Sequence, residues 1–238
     1  MTDIDARCLA IAEGVVEELF PNALGAWWSG SLAQGRGTAT SDIDLVVLMP
    51  SLRLARRETI VREGRLVEIF VQTSERARRF FALDAERGIP SLAHMIATGI
   101  ALRDAPEARA LAAAARETLE RGPRPLEPRE IETSRYVAAD LASDLRGARD
   151  ATEARAIGIA LYPHAFDFLR RSKRAWSARG KRMVMVLREE EGALGLAFLA
   201  AFDALFERGE RAHVLALVEE IWAPVGGPLE TMVQEAGF

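Results

Sequence analysis

Two carboxylates stand two residues apart at the head of an apolar run: Ser41-Asp42-Ile43-Asp44, then Leu45-Val46-Val47-Leu48-Met49. A short continuous apolar run of this length reads as a buried strand. Side chains alternate along a strand, so Asp42 and Asp44 are expected to share one face. Two like charges on one face, beside apolar residues, repel each other and resist desolvation. A cation between them relieves both costs. Hard oxygen donors at this spacing suit Mg²⁺, which takes one or two carboxylates and completes its shell with phosphate and water. A third acid, Glu68, lies inside Leu66-Val67-Glu68-Ile69-Phe70-Val71. A lone carboxylate in such a run is costly unless it is paired or bound to a cation. The alternative is an edge strand with Glu68 facing water.

The residues before the acids supply an anion site. Trp27-Trp28 end a short apolar strand that runs into Gly30-Ser31. Gly30 lets the backbone turn sharply, and Ser31 is placed to cap a helical turn beginning at Leu32. Free N–H groups at a helix start attract phosphate. Two adjacent aromatics on a strand point to opposite sides. At least one of Trp27 and Trp28 is therefore core, and the other is open to stacking on a base.

Gly30-Ser31, ten intervening residues, then Asp42-Ile43-Asp44 resembles the signature of the polymerase-beta-type nucleotidyltransferase superfamily. Ser41 before the first acid also matches its bacterial branches, and Glu68 matches its third acid on a neighbouring strand. The two-domain layout is similar to that of aminoglycoside (streptomycin/spectinomycin) adenylyltransferases. The resemblance is firm over residues 23–72 and architectural beyond them. It implies an α+β N-terminal domain, a mixed sheet with flanking helices, followed by an all-α helical bundle. It also implies transfer of a nucleoside monophosphate, AMP from ATP first, onto a hydroxyl of a small-molecule acceptor, with an aminoglycoside-like antibiotic as one candidate, and release of pyrophosphate. Asp42, Asp44 and Glu68 would hold two Mg²⁺ ions, Glu68 alternatively taking the acceptor proton. Gly30, Ser31 and Ser41 would contact the nucleotide. Some relatives build the site across two subunits, so a homodimer is compatible. The alternatives are an antitoxin-like enzyme that modifies a partner protein and a nucleotide-binding regulatory module without turnover.

These residues need elements to hold them. Helical periodicity covers residues 3–20, with Cys8 on the apolar side, and Pro21-Asn22 ends it. Residues 56–62 and 65–73 read as a hairpin turning at Glu63-Gly64. Ser74 and Ser91 are placed to cap two helices, the second carrying His94. Ile100-Ala101-Leu102 reads as a short strand, and an Ala-rich helix runs from Pro106 to Arg121. Gly122-Pro123-Arg124-Pro125-Leu126-Glu127-Pro128 is a linker, dividing the chain into 1–122 and 123–238.

Beyond it the pattern is helical: 128 to about 150, then from about Thr152 past Trp176, then 181–190, 193–208 and 212–222. Short connections imply an antiparallel bundle. Phe166, Phe168, Leu169 and Trp176 read as bundle core. The basic run Arg170-Arg171-Ser172-Lys173-Arg174, then Arg179-Gly180-Lys181-Arg182, reads as a solvated face or as a source of cations for a triphosphate. A short, gapped match to the adenylyltransferase helix favours Lys181 first and Arg174 second. Glu130, Glu132, Asp140, Asp144 and Asp150 are candidates to line a pocket for a cationic acceptor.

Composition bounds the rest. The chain has 238 residues, 49% of them hydrophobic, and a net charge of −4. That balance argues against broad nucleic-acid binding, which needs a basic face. A single cysteine excludes an internal disulfide, and three scattered histidines lack zinc-ligand spacing. No signal pattern or membrane-length apolar run is present, so a cytoplasmic setting is expected.

Overall fold

A computed structural model describes residues 3–54 and 56–233. The chain divides into two compact units, Met1–Pro123 and Arg124–Phe238. The first is an α+β unit with a mixed sheet, and the second is all helical.

In the first unit the elements are α1 (Asp3–Leu19), β1 (Gly25–Ser29), α2 (Gly30–Ala33), β2 (Ile43–Leu48), β3 (Arg56–Arg62), β4 (Arg65–Gln72), α3 (Ser74–Arg87), α4 (Ser91–Thr98), β5 (Ile100–Asp104) and α5 (Pro106–Arg121). The strands run in the order β3-β4-β2-β1-β5. Only the β2–β4 pair is parallel. β2 sits centrally and is buried on both sides, as its near-continuous apolar sequence requires. β3 lies at the edge and is rich in arginine, which discourages pairing with another chain. The hairpin between β3 and β4 turns on Glu63 and Gly64, both at positive φ, the twist that a two-residue hairpin loop needs.

Alternation along the strands builds two cores. On one face Trp28, Ile43, Leu45, Val47, Val67, Ile69 and Val71 pack with Cys8, Ile11, Val15 and Val16 of α1. On the other, Trp27, Val46 and Leu48 pack with residues of α3, α4 and α5, among them Phe81, Ile96 and Leu111. Trp27 and Trp28 thus anchor opposite layers, at 3% and 1% exposure. Neither is open to stack on a base, which overturns that possibility.

The helix caps differ from the sequence reading. Thr73, not Ser74, caps α3 by accepting from the Arg76 N–H. Ser91 is the first residue of α4, and Pro90 before it offers no side-chain oxygen. Asp84 of α3 fills the gap, its Oδ2 accepting from the Leu92 N–H at 3.1 Å. Burial pushes the Asp84 carboxyl above its usual range, and that hydrogen bond opposes the rise.

The second unit comprises α6 (Pro128–Gly147), α7 (Ala151–Arg171), α8 (Lys181–Glu190), α9 (Gly192–Arg208) and α10 (Ala212–Trp222). Its core joins Leu145, Leu161, Phe166, Phe168, Phe198, Phe202 and Trp222. Trp222 is fully buried and stacks on Phe168 at 4.8 Å, while its Nε1–H donates to Ser134. Gly158 lets α7 approach α9: a Cβ there would meet Leu205 at 2.6 Å.

α7 stops at Arg171, short of the expected end beyond Trp176. Arg174 takes a left-handed conformation, φ +57°, and the chain leaves the helix axis. The buried Arg170 then gathers the returning segment. Its guanidinium donates to the Trp176 carbonyl at 2.9 Å and pairs with Glu190 and Glu191 at 2.5 Å each. Arg170 and Arg171 are 6% and 5% exposed, so these two members of the basic run are not on a solvated face, whereas Lys173 and Arg174 are exposed. A run of cations tells nothing of which members find carboxylates, and Glu190 and Glu191 lie one element away.

Two of the candidate acceptor acids are used by the fold. Asp150 caps α7, accepting from the Thr152 and Glu153 N–H groups. Glu130 forms a capping box at α6 and a two-point pair with Arg124 at 2.6 and 2.7 Å. The Arg124 hydrogen bonds lower the Glu130 carboxyl to about 2. A depressed folded-state value means stability that is present above the ordinary value near 4.5 and lost as pH falls toward about 2. Glu130→Gln is therefore expected to destabilise the second unit at neutral pH. The gap to the wild type should close between roughly pH 4.5 and 2. Denaturant midpoints of both proteins across that window check this.

Candidate active site

The site grows out of the turn between β1 and α2 and the head of β2. Ser29, the last residue of β1, is fully buried and donates its Oγ–H to the Met95 carbonyl of α4 at 2.6 Å. That bond ties the turn to the helical layer. Gly30 follows at φ +78°, the conformation in which a Cβ is strained. A Cβ there would also lie 1.9 Å from Oδ2 of Asp44. The glycine is therefore needed twice, for the turn and for the close approach of the carboxylate.

Ser31 lies inside α2 and is not its cap. Ser29 holds the N-cap position, and its side chain makes no capping bond because it is committed to Met95. Ser31 donates instead to Ser41 Oγ at 3.3 Å, while Ser41 Oγ accepts from the Thr38 N–H at 2.9 Å. The two serines thus staple the ends of the loop. Arg65 adds a hydrogen bond to the Ala39 carbonyl at 2.9 Å.

Strand pairing decides where the acids stand. Asp44 is the register partner of Ser29 on β1 and of Glu68 on β4. In-register partners of parallel strands project to the same face, with backbones about 4.8 Å apart. Asp44 and Glu68 therefore rise side by side, on the face that carries Trp27, Val46 and Phe70. Asp42 immediately precedes β2 and is exposed.

The side chain of Glu68 is engaged in an ion pair. Arg57 of β3 holds it, with Nε 2.8 Å and Nη2 2.5 Å from Oε1. The Glu68 side chain is 19% exposed and that of Arg57 is 65% exposed. Arg57 also lies over the Phe70 ring at 5.2 Å. Among the described residues, no three His, Cys, Asp or Glu side chains gather into a metal-binding group. The backbone thus brings Asp44 and Glu68 to one face, with Asp42 just ahead of the strand, while Glu68 is engaged by Arg57. Sequence reasoning missed Arg57, although it stands three residues before Ile60 in a strand whose register with β4 follows from the hairpin turn.

The other candidate residues lie on the second unit. Arg174 is exposed, and Lys181, also exposed, opens α8. Among the described residues no helix is long and apolar enough to cross a membrane.

No family model matches the chain, and no curated protein matches it. A solved structure described as a nucleotidyltransferase-like protein from Exiguobacterium sibiricum 255-15 is similar to it. The two are 14% identical, the match covers 90% of this chain and 74% of that one, and the TM-score is 0.45. At that score and identity nothing about this chain's chemistry follows from the likeness.

The Gly30 geometry has a measurable consequence. Gly30→Ala is expected to destabilise the first unit by at least about 1–2 kcal/mol from the left-handed backbone alone, with the clash against Asp44 adding to it. In the Gly30→Ala/Asp44→Ala double variant the clash part should vanish and the backbone part remain. Denaturant unfolding of the four proteins measures this coupling.

Proposed function

We propose that the chain is a Mg²⁺-dependent nucleotidyltransferase. It moves a nucleoside monophosphate, AMP from ATP in the first instance, onto a hydroxyl of a small-molecule acceptor. The observation that supports this best is the register pairing of Asp44 with Glu68 on one sheet face, against the Gly30 turn. Asp42 and Asp44 offer the hard oxygen donors that Mg²⁺ takes alongside phosphate. With its partner phosphates bound, the ion would offset charge on the attacking and leaving oxygens.

The chain's own residues do the rest. The stapled Ser31–Ser41 loop holds its backbone rigid where the triphosphate would lie. The acceptor oxygen bonds to the α-phosphorus as the bond from that phosphorus to the pyrophosphate oxygen breaks. Glu68 takes the acceptor proton, which requires its carboxylate to leave Arg57. Arg57 is 65% exposed, so its guanidinium can pass into water as the acceptor hydroxyl takes its place beside Glu68. General-base help of this kind adds about 10²–10⁴ in rate.

The same ion pair favours a second reading, a nucleotide-binding module without turnover in which Arg57 keeps Glu68 neutralised. Incubation with ATP, Mg²⁺ and a panel of polyhydroxylated amines, with pyrophosphate as the readout, separates the two. Turnover is expected, and Asp44→Asn should abolish it while leaving the unfolding transition in place. Full turnover in Asp44→Asn would remove the metal assignment. Absence of pyrophosphate with every acceptor, together with intact ATP binding, favours the module.

A further inference from the structure

The second unit carries a buried cation that the fold leaves unanswered. Arg171, the last residue of α7, is 5% exposed. Its Nη2–H reaches the Arg124 carbonyl at a long 3.5 Å, and its Nε–H meets no acceptor. Its neighbour Arg170 shows what a satisfied guanidinium looks like here, with two carboxylates and a carbonyl. Among the described residues no carboxylate pairs with Arg171. Glu130 is near enough to feel its charge, yet that carboxylate is already taken by Arg124 and by the Glu127 N–H. A buried charge without a partner is costly and is kept only when something answers it.

Arg171 lines a cavity of about 620 Å³, a volume within the range of small-molecule sites. Leu126 and Phe168 give it an apolar wall, and Phe168 is held flat by its stack on Trp222. Trp222 also stacks on His164, another lining residue, whose Nε2–H is directed to the Ser134 carbonyl at 3.0 Å. The wall is therefore rigid. Glu127 and Asp167 also line the cavity and leave Arg171 unpaired.

We propose that this cavity binds a small organic oxyanion, a carboxylate or a phosphate monoester on a flat apolar body. The oxyanion is seated on the Arg171 guanidinium, and the apolar body lies against Phe168 and Leu126. A guanidinium fork with free donors matches two-oxygen headgroups of either kind. Every residue of the cavity belongs to the second unit, and the proposal does not depend on the function proposed for the acids of the first.

Benzoate and phenyl phosphate test this on the full chain by calorimetric titration. They share a body and differ in headgroup, and benzyl alcohol supplies the uncharged control. At least one oxyanion is expected to bind saturably, with benzyl alcohol roughly tenfold weaker or worse. Arg171→Met should weaken the oxyanion by roughly tenfold or more. Without ligand it should melt at or above the wild-type temperature, because an unanswered charge is gone. Arg171→Lys keeps the charge without the fork and carries the same comparison should the methionine variant fail to fold. Saturable binding by neither oxyanion overturns the proposal. So does binding that is unchanged in both variants. A lower ligand-free melting temperature with unchanged affinity assigns Arg171 a structural role and overturns it too.

Discussion

The first unit depends on one pairing, that of β2 with β4 in parallel register. It sets Asp44 beside Glu68 on the face that also carries Val46, Leu48 and Phe70. Two acids a strand apart repel, and the surroundings show how the fold contains that repulsion. Gly30 gives Asp44 room that any other residue would take. Arg57 crosses from the edge strand to hold Glu68. Asp42 stays outside the strand, in water. Each device lowers the cost of keeping carboxylates together without removing either charge.

The second unit handles buried charge differently. Arg170 and Arg171 are consecutive and equally buried, yet only one has carboxylate partners. Arg170 closes the segment after α7 by binding a carbonyl and two glutamates at the far end of α8. Arg171 lines a cavity walled in part by an aromatic stack. The contrast between neighbours matters more than either burial value, because the two share a backbone and a helix end and differ only in what answers them.

Much of this was legible in the sequence. The apolar run after Asp44 could be little else than a buried strand, and Glu68 stood out as a lone carboxylate in an apolar stretch. Glu63-Gly64 marked the hairpin, and Pro128 marked the start of α6. What stayed hidden depended on partners far apart in the chain. The Asp84 bond to the Leu92 N–H spans two helices, so serine appeared to be the cap where aspartate does the capping. Arg57 sits in an exposed edge strand whose charges look like ordinary surface. The burial of Arg170 was hidden because a string of cations does not reveal Glu190 and Glu191 packing against it. The end of α7 was overrun because Trp176 falls at helical spacing from Phe168 and Leu169, although the chain has already turned at Arg174.

The central claim is that the paired carboxylates beside Gly30 form a divalent-metal site completed by nucleotide phosphate. Mn²⁺ reports on it directly, since its electron paramagnetic resonance signal falls when the ion leaves water for a protein site. Titration of the wild type with Mn²⁺ in the presence of a non-hydrolysable ATP analogue should show one or two bound ions beyond those held by the nucleotide alone. The number should fall when Asp42 and Asp44 are both replaced by asparagine. Equal Mn²⁺ binding by the two proteins would contradict the account.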